Sequence, residues 1–341
     1  MSDAARVVVG FLRPSLVVTR AMRAVRLHEH GGTDVLQVED ADRPDSAEGE
    51  LLVEIAASGV NPVDTYFRDG SYEPCGLPFT PGVDFAGTVA DAGDVEGFEA
   101  GDRVYGTGIG NGSFQGSLAE YAAVPEDRVV HLPDGVAFDA AGGAGVVAVT
   151  AWRALVHHAE LRPAEWCLIH GGSGGVGHAA VQIADAVSAR VVATAAPEYH
   201  DRLRELGADV VLDYAREDLQ AAVLEASEGG VDVVLDHRLD DYLQFDAEVA
   251  TQGCRVVGIG ENDPAVGFTD DGVARSKDVT YQFMIMFNAP DLRVPLRGVA
   301  HLMATGALDV EVARSYGLDE AGEAQRAVME DSFLGKLVVE P

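Results

Sequence analysis

The 341-residue chain is almost without lysine: Lys277 and Lys336 are its only two, and every other strong base is arginine. Cysteine is sparse too. Cys75, Cys167 and Cys254 stand far apart and are odd in number, which argues against a disulfide framework or a cysteine-rich zinc site and fits a reducing, cytoplasmic compartment. No apolar run reaches the ~20 residues that a membrane-spanning helix requires. Acidic blocks are missing as well: Asp and Glu are scattered along the whole length, so the acidity is not that of a disordered tail. Without basic patches, neither nucleic acid nor an anionic membrane is expected as a main partner.

What the chain has in excess is negative charge. Asp and Glu number 56 against 24 Lys and Arg, a formal net charge of −32. Such a shell repels itself in dilute buffer. At about 1 M salt the screening length falls to about 3 Å and the repulsion disappears. The composition is therefore that expected of a protein from the salt-loaded cytoplasm of a halophile. Residues 1–21, MSDAARVVVGFLRPSLVVTRA, are basic and apolar by contrast. Arg13 and Pro14 interrupt any signal-peptide core, and a fresh start fits better at Met22, so this stretch reads as a loose extension or as a translation of upstream sequence.

From Met22 to about Pro133 the pattern is short strands broken by Gly and Asp, such as LLVEIAASGV and GDRVYG. From about Ala148 it becomes an alternation of strand and helix. EWCLIHGG, ARVVATAA, DVVLDY, VDVVLDH and GCRVVGIG are strands, near-continuously apolar as when both sheet faces are covered. Between them GVGHAAVQIADAV places Val176, Ala180, Ile183, Ala184 and Val187 on one helical face. This is an α/β series with a doubly wound parallel sheet.

The stretch HGGSGGVG holds Gly172, Gly174 and Gly177 as G-x-G-x-x-G, directly after a strand and opening a helix. The first glycine permits the tight turn, the second lets backbone approach a diphosphate, and the third lets helix and strand pack closely. The helix start then offers free amides to the anion. A dinucleotide is the expected ligand. A NAD site usually carries an acid at the end of the second strand, about 20 residues on. Here that strand ends Thr194-Ala195-Ala196, and Tyr199, His200 and Arg202 follow. This favours NADPH, with those three as candidates for its 2′-phosphate; the alternative is that His200 and Arg202 are only the solvated face of the next helix.

The segments AVRLHEHGG, GVNPVDTYFRDGSY, LPFTPGVDFAGTV, GDRVYG, VTAWRAL, HGGSGGVG, LGAD and GKLVV occur in an order that resembles the zinc-independent, zeta-crystallin-like quinone oxidoreductases of the medium-chain dehydrogenase/reductase superfamily. The resemblance covers Met22 to Val339. It implies a GroES-like β-rich catalytic domain at 22–147 and 289–341, a Rossmann dinucleotide-binding domain at 148–288, and an active site in the cleft between them.

Zinc-dependent relatives place Cys where this chain has Asn61, and His-Glu where it has Val83-Asp84. An amide and an alkyl group cannot anchor Zn²⁺, so no metal site is expected. The resemblance places Asn61 beside the nicotinamide and Thr150 against the cofactor. It puts Tyr66 and Tyr72 in the substrate pocket; related 2-enoyl thioester reductases use the Tyr72 position as a proposed proton donor, a role open to a phenol. Asn61, Tyr66 and Tyr72 are thus the catalytic candidates. For cofactor binding it further implies Ser173, Gly175, Val176 and Thr194 around the glycine turn, Tyr214 on the adenosine side, and His237, Gly258, Gly260 and Lys336. Two departures from the family pattern concern this set. The stretch after the second strand is one residue short and lacks the usual lysine, and LDHRLDDY replaces a glycine pair at His237.

Together these point to an NADPH-dependent reductase delivering hydride to a quinone or similar conjugated acceptor. The alternatives are a double-bond reductase for enals or 2-enoyl thioesters, and a non-catalytic binding or structural protein on the same fold. The stretch VTYQFMIMF, Val279–Phe287, is long and apolar and follows the last Rossmann strand; the resemblance implies that it is an edge strand paired with its copy in a homodimer, which removes an exposed edge.

Overall fold

The computed structural model describes residues 21–341; the extension read at 1–21 lies outside it except for Ala21, which opens the first strand, Ala21–Arg26. Among the described residues no helix is long and apolar enough to cross a membrane.

Two large sheets organise the described residues, beside a small antiparallel pair of Ala21–Arg26 with Gln37–Asp42. The later one has six parallel strands in the order Val210–Asp213, Arg190–Ala195, Trp166–Ile169, Val231–Asp236, Ala250–Gly258, Thr280–Phe283. In chain order that is 3-2-1-4-5-6, the dinucleotide-binding arrangement whose order reverses beside the first strand. The strand cores are sealed on both faces: Cys167, Leu168, Ile169, Val233 and Val234 are all fully buried. This is the physical reason for their near-continuous apolar sequence.

The earlier half forms a mixed, largely antiparallel sheet built on the long strand Glu50–Val60. Asp84–Asp91 and Tyr121–Pro125 flank it in antiparallel pairing. The chain returns here at its end. Lys336–Glu340 pairs antiparallel with Glu50–Val60, Leu337 opposite Val60, and Val312–Gly317 adds outside it. The return places Lys336 beside Asn61, 275 residues away in sequence. The helix Phe138–Trp152 runs across the join drawn at residue 147 and carries the chain from one sheet to the other.

The apolar stretch at Val279–Phe287 is less strand-like than its composition. Only Thr280–Phe283 pairs with the sheet; the chain then turns into a short 3-10 segment, Met286–Asn288, with Met284 and Met286 buried. Phe283 and Ile285 stay exposed at 64% and 58%, so the edge is left apolar.

Candidate functional site

A cleft of about 460 Å³ opens between the two sheets, at the carboxyl ends of the parallel strands. One wall is the glycine turn. Gly172 N donates to Thr194 O at 2.7 Å and Gly174 N to Gly171 O at 3.0 Å, and the helix Gly175–Ala186 begins at once. A side chain on Gly177 would lie 2.1 Å from Gly171 O, so close packing forbids one. Gly174 differs: its Cβ would meet nothing nearer than 3.4 Å, so bare backbone faces the cleft where there is room for a side chain. The amides of Ser173, Gly175, Val176 and Gly177 find no backbone acceptor among the described residues. This cradle fits the diphosphate of a dinucleotide.

The opposite wall comes from the other sheet. Asn61 caps the helix Pro62–Asp69, with its backbone N donating to Asp64 Oδ2 at 2.8 Å. Its side chain is buried and fully committed. Asn61 Nδ2 donates to Asp84 Oδ2 at 2.8 Å, and Lys336 Nζ donates to Asn61 Oδ1 at 2.7 Å and to Val60 O at 2.6 Å. Asp84 Oδ1 accepts from Val146 N at 2.7 Å, and Asp64 Oδ1 from Val83 N at 3.1 Å. Burial pushes the Asp84 carboxyl up to about 6 against the pull of Lys336, and pushes Asp64 up to about 7. Burial also lowers Lys336, while Asp84 and Asp64 hold it toward the charged form. Lys336 lines the cleft, and its third N–H has no acceptor among the described residues.

This arrangement does not fit a zinc ion. At the positions of the expected ligands stand an amide already bonded on both ends, the alkyl group of Val83, and Asp84 tied to Asn61 and Val146. A fixed cation, the Lys336 ammonium, already bonds to the Asn61 oxygen that a metal would need.

Of the residues singled out in the sequence, the cleft brings together Asn61, Ser173, Gly174, Gly175, Val176, Gly177, His237 and Lys336. Thr194 sits behind the turn, its hydroxyl accepting from Gly171 N at 3.2 Å. Gly172 likewise forms the turn from behind, while Gly258 packs against Leu239 and Gly260 against His237 O. Thr150 is buried in its helix and does not line the cleft. Tyr214 is 54% exposed. Tyr66 and Tyr72 meet edge to face at 5.5 Å outside the cleft, with Tyr72 half exposed. Burial raises the Tyr66 phenol above its usual range, with added repulsion from Tyr72, Asp69 and Glu261.

The corner expected to receive a 2′-phosphate is less basic than its sequence. Arg202 is held by Glu311 at 2.8 Å, Asp309 at 3.1 Å and Glu205 at 3.2 Å. Glu205 is a neighbour on the same helix, but Asp309 and Glu311 arrive from the returning segment, which sequence proximity could not reveal. His200 Nε2 lies 3.0 Å from Ala195 O, and Tyr199 OH lies 2.9 Å from Ser332 Oγ, a contact between the two halves of the chain.

Sequence reasoning missed a second buried group behind the turn. His170 Nε2 lies 3.0 Å from Asp246 Oδ1, both side chains without solvent exposure, and the ring stacks on Tyr242 at 4.1 Å. Its only sequence signal was a histidine preceding the glycines. It also missed Asp64, although Asn61 followed three residues later by an acid is a readable helix-start pattern.

Comparison with known proteins agrees with this architecture. Residues 47–134 match the alcohol dehydrogenase GroES-like domain and residues 206–339 the zinc-binding dehydrogenase domain. A quinone oxidoreductase of Lama guanicoe is 34% identical over 94% of this chain and 98% of its own length. The structure of an Escherichia coli quinone oxidoreductase complexed with NADPH superposes with a TM-score of 0.82 at 28% identity, covering 94% of this chain and all of that one. That of an NAD-dependent alcohol dehydrogenase does so with a TM-score of 0.88 at 27% identity over the same shares. The chain belongs to the quinone oxidoreductase family of the medium-chain dehydrogenase/reductase superfamily.

Proposed function

We propose that this chain is a zinc-independent, NADPH-dependent reductase that passes hydride to a quinone or similar conjugated acceptor. The observation that carries the reading is the Lys336–Asn61–Asp84 chain: an organic cation and an amide stand beside the glycine cradle where a metal-dependent dehydrogenase needs ligands. Bound NADPH would supply the hydride. The amides of Ser173, Gly175, Val176 and Gly177 would hold its diphosphate, and Asn61 and Lys336 would line the reacting end. Without a Lewis acid, a developing alkoxide is poorly stabilised, so the acceptor must spread the incoming charge itself. Thr150, Thr194, Tyr214, His237, Gly258 and Gly260 remain proposed cofactor residues, with Tyr199 and His200 better placed than Arg202 for the 2′-phosphate.

The NADPH-complexed relative and the acid-free end of the second strand support the choice of cofactor. The exposed edge at Phe283 and Ile285 supports a homodimer. The charge of −32 supports a halophilic, cytoplasmic setting in which thermal stability rises with KCl. The Tyr66–Tyr72 pair favours a second reading, reduction of an activated C=C with a phenol as acid.

The deciding experiment follows NADPH oxidation in molar KCl with quinones, enals and enoyl thioesters, with and without a chelator. Turnover with a quinone, indifferent to the chelator and without stoichiometric zinc, is expected. Activity lost to the chelator and restored by zinc would overturn the reading.

A further inference from the structure

The acid behind His170 is not alone. Asp236, the last residue of the strand Val231–Asp236, is also without solvent exposure, and Asp246 lies near enough to raise its carboxyl by charge repulsion, in addition to burial. Asp236 Oδ1 accepts from Arg238 N at 2.7 Å and Asp246 Oδ1 faces His170 Nε2. The second oxygen of each acid, Oδ2, has no donor among the described residues. Two orphaned anionic oxygens on neighbouring acids in a sealed interior are too costly to leave so. One proton shared between the acids accounts for both orphans.

We propose that Asp236 and Asp246 hold one shared proton behind the dinucleotide turn, and that His170 and this pair act as positioning residues through which cofactor affinity falls when the proton leaves. The inference rests on the dinucleotide reading of the cleft. Its geometry is short. His170 lines the cleft and adjoins Gly171, whose φ of +65° begins the turn. Gly171 N is bonded to Thr194 Oγ1, and His237, the neighbour of Asp236, also lines the cleft. A second negative charge on the pair would therefore arise directly behind the surface that receives an anion.

The other titratable and charged groups around the pair do not answer for it. From the strand Trp166–Ile169 comes His170, held down at about 4 by burial and therefore neutral. The turn after Asp236 contributes His237, pushed below the usual histidine range although its edge opens to the cleft, and Arg238, paired with Asp241. Tyr242 on the helix Leu239–Val249, Cys254 on the next strand and Tyr281 on the edge strand are all raised by burial and stay uncharged at neutral pH. Asp236, by contrast, is pushed up to about 7 by burial and by Asp246, into the range where the change would be felt.

The test is a titration of NADH binding by the full chain in molar KCl, from about pH 6 to about pH 9. NADH is the probe because it lacks a 2′-phosphate that would itself titrate. The wild type should lose on the order of tenfold in affinity across this range, and Asp236→Asn should lose little. Calorimetry in two buffers of different ionisation enthalpy should show proton uptake on binding near neutral pH in the wild type, a readout independent of how the variant folds. A flat wild-type profile with no proton uptake would overturn this inference while leaving the cofactor reading intact. Failure to bind either NADH or NADPH at any pH would overturn both.

Discussion

The two buried ionic groups that flank the cleft solve one problem in opposite ways. On the β-rich side, Asp84 and Asp64 are offset by the ammonium of Lys336, and each Asp84 oxygen accepts a hydrogen bond. On the Rossmann side, Asp236 and Asp246 have no cation to offset them among the described residues, only a neutral imidazole, and two of their oxygens lack donors there. A buried acid can be tolerated through a counter-ion or by keeping its proton. The first solution sets an ammonium at the cleft beside its acids, and the second sets none.

The sharpest way to break the contrast is to remove the counter-ion. Lys336→Met leaves Asp84 buried and unpaired, and should cost about 3–5 kcal/mol in denaturant unfolding at molar salt. Adding Asp84→Asn should restore much of the loss. If Lys336→Met is as stable as the wild type near pH 8, the pair is not held ionised.

A smaller effect is expected on the other side, with pH as the variable. The native Asp236 carboxyl lies near 7 against an ordinary value of 3.8, so the folded state binds a proton that the unfolded chain has released. The associated stability is full below the unfolded value and is lost as pH rises through the native one. Asp64 and Asp84 are raised as well, so the readout is a difference between proteins: between about pH 4 and pH 8, Asp236→Asn should lose about 2–4 kcal/mol less stability than the wild type. Equal slopes in both proteins would erase the distinction between the two groups.

An exposed cluster gives the reference point. Arg202 is about a third exposed among its three acids, so Arg202→Ala should cost no more than about 1 kcal/mol and less at high salt. NADPH affinity should change by less than about threefold. A tenfold loss specific to NADPH would return Arg202 to the 2′-phosphate. Smallest of all, Tyr72→Phe should leave quinone turnover within about threefold, because water can protonate a hydroquinone anion. A drop of about 10²–10⁴-fold with an enoyl thioester would instead support Tyr72 as the acid of a double-bond reductase.

The sequence by itself determined the parallel sheet, the glycine cradle and the missing zinc ligands. Each is a local fact: continuous apolar strands report a sheet covered on both faces, three spaced glycines report backbone that must stay bare, and Asn61 and Val83 carry the wrong atoms for a metal. Tertiary structure alone decided what surrounds each charge. Lys336 reaches Asn61 only because the last strand pairs with Glu50–Val60, and Arg202 loses its freedom only because the returning segment brings Asp309 and Glu311 to it. Asp246 meets His170 across 76 residues of chain. Periodicity and spacing describe a residue's immediate neighbours along the chain, whereas the charge state of a buried group is set by neighbours through space.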